Sequence, residues 1–320
     1  MSKSAPAEIE DLARRRSAAR AAGDFGTADQ LRSQIEAAGW KVVDRGHDFR
    51  LEPAHPPDRD IDGLRVHGAS ATVPSRLAEP SGTGATVVLV VGTQPDLALR
   101  SAEELAGVEP APQVVVVAPD SVTERRDVLG GLDQPAELVW MTSSVNLAGR
   151  WSAGIRRAIG AVIVLCGADT RLPPEVLSAV ASALEDPGVA VVGASGLYSN
   201  DMRRWLPTDG PDADAVDADL LGFRREDLAR ASLDERFMTP RLLATWWSLT
   251  LRDPGSDQPP RRALVLPLDV EEPPLAASAE RPDRAERRDF YRLLGDFGGR
   301  SDLLRQPVMP TAEGGPGRRR

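Results

Sequence analysis

Cysteine is almost missing from this chain. Cys166 is the single one in 320 residues, which excludes an internal disulfide framework and any multi-cysteine zinc site. Histidine is nearly as rare: His47, His55 and His67 all precede residue 84, and none stands at ligand spacing from another. Their default role is to face solvent. Aromatic residues make up only 4%, so Ala, Val and Leu dominate an apolar fraction of 41%, still enough to bury a sizeable core. No apolar run reaches the ~20 residues that a membrane-spanning helix needs. The opening MSKSAPAEIEDLARRR has no apolar centre of signal-peptide length. A cytoplasmic protein is the expectation. Excess positive charge is lacking too; the net charge of −9 argues against a generally nucleic-acid-coating surface.

The residues that are present fall into four stretches. Residues 1–52 read as a small helical unit. EIEDLARRRSAARAA is a helix that stops at Gly23, and Asp24 is placed to cap the next one. FGTADQLRSQIEAAG puts Phe25, Ala28, Leu31, Ile35 and Ala38 on one stripe and ends at Gly39. WKVVDRGHDFRLE continues as a hairpin-like piece around Arg45–Gly46. Residues 53–83 are rich in Pro, Gly and Ser without periodicity, and read as a linker or an extended wrap over the next domain.

From residue 84 the rhythm changes. ATVVLVV, QVVVVAP, GAVIVLC and GVAVVG are fully apolar and β-branched, and they alternate with amphipathic stretches such as DLALRSAEELAG, LAGRWSAGIRRAIG and PEVLSAVASALED. Apolar strands interleaved with helices predict a mainly parallel α/β sheet covered on both faces. Sheets of that kind bind ligands beyond the carboxyl ends of their strands, which directs attention to the turns after Val91, Val117 and Leu165. Further on come an acidic loop (DGPDADAVDADLLG), an Arg-rich helix start (FRREDLARASLDERF), an aromatic helix (TPRLLATWWSLTLRD), a last strand (RALVLPLDV) and a last helix (DRAERRDFYRLLGDF). Residues 307–320 form a polar tail that reads as disordered.

The order of these pieces over residues 84–306 resembles family-2 glycosyltransferases of the GT-A fold. VVVVAPDS stands where that family reads V-V-D-D-G-S, and GRWSAGIRRAIG keeps its glycine–alanine spacing. VIVLCGADT stands at its D-x-D turn. DADLLGFRREDLARASLDERF matches its arginine stretch and D-E-x-F turn. The resemblance implies a nucleotide-sugar donor, Mg²⁺ or Mn²⁺ if the protein is active, and hexosyl transfer. The first unit resembles a different family: ARRRSAARAAGDFGTADQLRSQIEAAGWKVVD is similar to the C-terminal anticodon-binding module of cysteinyl-tRNA synthetases. The nucleotide loop and zinc ligands of a synthetase are missing, so aminoacylation by this chain alone is not expected.

A transferase of this kind needs a carboxylate for the base or ribose, a D-x-D turn for the metal and diphosphate, and a general base for the acceptor hydroxyl. At the first place Ala118 and Pro119 replace the two acids. Asp120 comes one position later and serves either the nucleotide or simply the turn before Ser121. At the second, Gly167 and Ala168 precede Asp169, the remaining acid for a metal, since one carboxylate plus phosphates and water can hold Mg²⁺. The competing reading makes Asp169 and Thr170 a turn before Pro173–Pro174. At the third, residues 238–249 contain no acid, and Ala244 stands where related sequences carry an aspartate. Asp234 and Glu235 are the nearest carboxylates. Arg224 and Arg225 are candidates for the diphosphate. Asp212, Asp214, Asp217 and Asp219 read as a solvated acidic surface rather than a metal cluster. Trp246 and Trp247 point about 100° apart on a helix, so one of them belongs to the core.

Two functions remain in view. One is transfer of a sugar from a nucleotide-sugar donor with a depleted carboxylate set. The other is a non-catalytic protein that engages tRNA, another RNA or a polysaccharide-assembly partner through the first unit or the crevice.

Overall fold

The computed structural model describes residues 5–45, 48–82, 84–125, 129, 136–168, 170–208, 210–255, 258–268, 270 and 283–305. Asp169, Gly46, His47 and the 307–320 tail lie outside the described residues.

The first unit builds its own small core. Helices α1 (Ala7–Ala21) and α2 (Phe25–Ala37) are joined through Gly23, whose φ of 76° suits glycine. Asp24 caps α2 by accepting from the Thr27 amide at 3.0 Å, as the sequence predicts. Ala28, Leu31 and Ile35 are buried, whereas Phe25 at the end of the same stripe is exposed. The antiparallel hairpin of β1 (Trp40–Arg45) and β2 (Asp48–Pro53) lays Trp40, Val42, Phe49 and Leu51 against Ile9, Ala13 and Ile35. Arg16 is buried in this unit and pairs with Asp44 through two hydrogen bonds of 2.8 and 3.1 Å, a geometry that offsets desolvation of the guanidinium.

The main sheet has ten strands in the order β12-β15-β9-β14-β8-β5-β6-β7-β4-β3. Its centre is β5 (Ala85–Val90), β6 (Gln113–Pro119), β7 (Ala136–Met141) and β8 (Val162–Ala168), all parallel. Beyond β8, β14 (Leu220–Arg224) runs antiparallel to both β8 and β9 (Val189–Gly193), and β15 (Arg262–Val265) pairs parallel to β9. Two-residue β12 (Asp212–Ala213) closes that edge, and β10 (Gly196–Tyr198), β11 (Leu206–Thr208) and β13 (Ala215–Val216) form a separate small sheet.

Period-two alternation divides the core between two faces. Val87, Leu89 and Val91 pack on one side with α3 (Pro95–Ala106) and α5 (Glu175–Ala183). Val88 and Val90 pack on the other with α4 (Leu147–Arg157), α6 (Pro240–Arg252) and α7 (Arg284–Phe297). The expected helix-covered, mainly parallel α/β sheet is therefore the observed one.

Two sequence expectations need correction. Residues 53–83, read as a linker or an extended wrap, also supply strands. Within them β3 (Arg59–Ile61) and β4 (Leu64–His67) join the sheet, β4 running parallel to β7, and Val66, Ala69, Ser70 and Val73 are buried. Three- and four-residue strands are too short to show a period, so composition alone conceals them. The stretch FRREDLAR is not a helix start either. Phe223 and Arg224 end β14, and Arg225–Ala229 form a 3₁₀ turn.

Candidate functional site

Parallel strands deliver their carboxyl ends to one rim. Val90 stands opposite Val117 of β6 and Ala168 of β8, so the turn holding Asp120 and the end of β8 flank the end of β5. Helix α4 opens on the same rim after β7. Asn146 caps it through the Gly149 amide at 2.9 Å, while its Nδ2 donates to the carbonyls of Glu235 and Phe237, both at 2.8 Å. One side chain thus binds the 234–237 turn to the helix entrance. Arg150, one turn into α4, donates to the carbonyls of Val91 at 3.2 Å and Ser143 at 3.4 Å, placing a fixed cation at the rim.

Asp120 and Glu235 are the candidates that the fold brings to this rim, and both are already engaged. Asp120 accepts from the Ser143 amide at 2.7 Å, from the Ser143 hydroxyl and from Arg59 of β3. Burial pushes its pKa up, but these hydrogen bonds and the Arg59 charge outweigh that and hold it below the ordinary aspartate range. Glu235 accepts from the Ser70 hydroxyl. Asp234 is turned aside, bound by Arg236 at 2.8–3.1 Å with Arg292 at 3.5 Å. Burial raises its pKa, yet the Arg236 hydrogen bonds and charge win and leave it lowered.

Arg224 and Arg225 are at the wrong end for a diphosphate on this rim. Because β14 is antiparallel, Arg224 pairs with Val162, the first residue of β8. It donates to the carbonyls of Val189 and Asp186, and Arg225 donates to those of Arg76, Leu77 and Glu79, tying down the wrapped segment. Both line a cavity of about 640 Å³ at the amino edge, with Leu77, Val162, Leu184 and Leu228. Ala244 is buried in the core, so its position does not open on the crevice. Trp247 is also core, edge-on to Phe223 at 5.5 Å, while half-buried Trp246 donates to Asp296 at 2.7 Å; the expected division of roles holds.

The acidic loop is not a solvated surface. Asp214 and Asp219 are 1% and 8% exposed. Asp214 accepts from the amides of Ser199 at 2.8 Å and Arg305 at 2.7 Å, and Asp217 pairs with Arg241 at 2.9 Å. Asp219 lies across from the D-x-D position: the Gly167 amide donates to its carbonyl at 3.0 Å, and Ser195 Oγ donates to its carboxylate at 2.7 Å. Its position directly before the apolar LLGF run, the start of an inward strand, is the signal in the sequence that could have found it. Burial pushes its pKa up to about 6, with the Asp217 charge adding to the effect. Cys166, one strand away, is a core thiol pushed up to about 12 by the same burial. His67 is not solvent-facing; it meets Thr72 Oγ1 at 3.0 Å and Asp58 at 3.5 Å, and burial lowers its pKa despite Asp58.

Asp219 carries a pH prediction with a definite sign. The native state keeps this proton to about pH 6, whereas an unfolded aspartate releases it near pH 4. Between those values the native state holds more protons, so raising the pH removes stability, by up to about 3 kcal/mol from this group. Urea denaturation of the wild type and Asp219→Asn at pH 4, 5, 6 and 7 should show the wild type losing ground to the variant as pH rises. Parallel stability curves would contradict the assignment.

Among the described residues no group of three or more His, Cys, Asp or Glu is arranged to hold a metal ion. A Cβ on Gly167 would stand 2.9 Å from both the Ala218 carbonyl oxygen and Thr170 Oγ1, so this strand end has no room for the motif's first acid.

Comparison with known proteins agrees with the two-part organisation. The sequence model described as Glycosyl transferase family 2 matches residues 99–235. The one described as Cysteinyl-tRNA ligase anticodon binding domain matches residues 2–49. A cysteine–tRNA ligase of Opitutus terrae is 55% identical over 49 residues, which are 15% of this chain and 11% of that protein. Solved structures of S. aureus TarS are distantly similar. The UDP-GlcNAc complex of its residues 1–349 has a TM-score of 0.39 at 14% identity, covering 66% of this chain and 64% of that one. The UDP complex has a TM-score of 0.39 at 13% identity, covering 57% and 61%. The chain thus spans about a tenth of the ligase and under two-thirds of the TarS chains. Among the described residues no helix is long and apolar enough to cross a membrane.

Proposed function

We propose that this chain, which carries a glycosyl transferase family 2 region behind a cysteinyl-tRNA ligase type module, binds a nucleotide-sugar donor at the carboxyl rim of its sheet. The observation that carries the reading is the register at Val90, which sets the Asp120 turn and the end of β8 at Ala168 on either side of one strand end. The α4 entrance and Arg150 supply positive potential beside them, suited to a diphosphate. Asp120 marks the nucleoside end and Glu235 the acceptor end, where a carboxylate beside an incoming hydroxyl serves as base. Asp169 is the remaining acid of the D-x-D turn and the residue to test for Mg²⁺ or Mn²⁺.

A second reading, binding without transfer, is favoured by the engagement of Asp120 with Arg59, the locked Asp234 and the absence of room at Gly167. Calorimetry with UDP- and GDP-sugars, with and without Mn²⁺, paired with a donor-hydrolysis assay, separates the readings. Heat with turnover supports transfer, heat without turnover supports binding alone, and no heat with any donor removes both. If the first unit contacts RNA, a gel shift at physiological salt should favour tRNA over an arbitrary RNA of equal length.

A further inference from the structure

Arg59 precedes the region matched as glycosyl transferase family 2, yet its side chain ends at the carboxyl rim, on Asp120. It opens β3, the outermost strand, and the β4–β7 pairing of Val66 with Trp140 and His67 with Met141 places it beside the end of β7. Its backbone is held from the preceding residue. Asp58 accepts from the Gly68 amide at 2.9 Å, Thr72 Oγ1 at 2.7 Å and Arg65 Nη2 at 2.8 Å.

From that root the guanidinium reaches across the ends of two strands. Nη2 donates to Asp120 Oδ2 and lies 3.4 Å from Thr142 Oγ1. The other Asp120 oxygen is taken by Ser143, and only 13% of the Asp120 side chain is exposed, against 49% for Arg59. The Nε and Nη1 groups of Arg59 have no hydrogen-bond partner among the described residues. Arg59 therefore offers a ligand N–H donors at this point, where a bare carboxylate would offer acceptors.

We propose that Arg59 determines which nucleotide the crevice accepts, favouring bases that turn a carbonyl oxygen toward it. Uracil and guanine do so with O4 and O6, whereas cytosine and adenine present exocyclic amino donors at the same place. The inference rests on the nucleotide-sugar reading and adds the class of base.

Calorimetry on the full chain with UDP, GDP, ADP and CDP tests it. UDP and GDP should bind about tenfold more tightly than ADP and CDP, and Arg59→Met should bring all four within about threefold. Arg59→Lys keeps the charge but not the planar donors, and should also lose most of the preference. Melting curves establish that each variant is folded. A preference undiminished in both variants, or a uniform tightening for all four nucleotides when Arg59 is replaced, would overturn the proposal. Binding by the wild type without base preference defeats this inference alone. Failure of the wild type to bind any nucleotide defeats the underlying reading as well.

Discussion

Replacing Trp151 with alanine should remove about 3–5 kcal/mol of unfolding free energy, the largest single effect expected in this chain. Trp151 is fully buried on the α4 face that meets the sheet. Truncation leaves an indole-sized cavity where α4, α6 and the strands converge. It also strands a polar group: Trp151 Nε1 donates to the Cys166 carbonyl at 2.7 Å, two residues before the end of β8. Trp151→Phe keeps most of the volume and loses the bond, so it should cost about 1–3 kcal/mol. Trp246→Ala, on the same sheet face but half-buried, should cost clearly less than Trp151→Ala. Urea denaturation followed by far-UV circular dichroism measures all three. Equal costs for the two alanine variants would show that α4 does not organise the rim as described.

Restoring an acid at Gly167 should fail to restore a metal site. The Cβ of Gly167→Asp would stand 2.9 Å from the Ala218 carbonyl, a backbone atom of the turn that leads into β14, rather than the end of a flexible side chain. The new carboxylate would also enter beside Asp219, already raised to about 6 by burial, and neither acid gains a cation. The expected loss is about 2–4 kcal/mol, with Gly167→Ala reporting the steric share alone, about 1–3 kcal/mol. Nucleotide affinity in the presence of Mn²⁺ should not improve. A stable Gly167→Asp protein with tighter Mn²⁺-dependent binding would show that this strand end can yield, and that the D-x-D turn lost its first acid for reasons other than space.

Much of the architecture is legible in the sequence because its signals are local. The runs at β5, β6, β8 and β9 announce themselves by apolar β-branched composition, and the hairpin unit by its Asp24 cap and its Gly23 and Gly39 stops. The site is legible only in part. Asp120 and Glu235 stand out as acids in turns, but nothing near them in sequence names their partners: Arg59 is 61 residues from Asp120, and Ser70 is 165 from Glu235. The Arg224–Arg225 pair misleads because a charge run looks the same whether its strand climbs toward the rim or descends from it. The DADAVDAD loop misleads because alternating acids give no clue to which of them a neighbouring strand will cover.

The sequence by itself determined the long apolar strands and the amphipathic helices, the helix pair of the first unit, and that the sheet is mainly parallel. Those properties follow from backbone propensity and from periodicity within a dozen residues. Only the tertiary structure decided the direction of β14, the recruitment of residues 59–67 into the sheet, and the pairing that turns Asp120 inward. Each of these depends on contacts between residues far apart in the chain, whose energies are set by burial and geometry that no local pattern encodes.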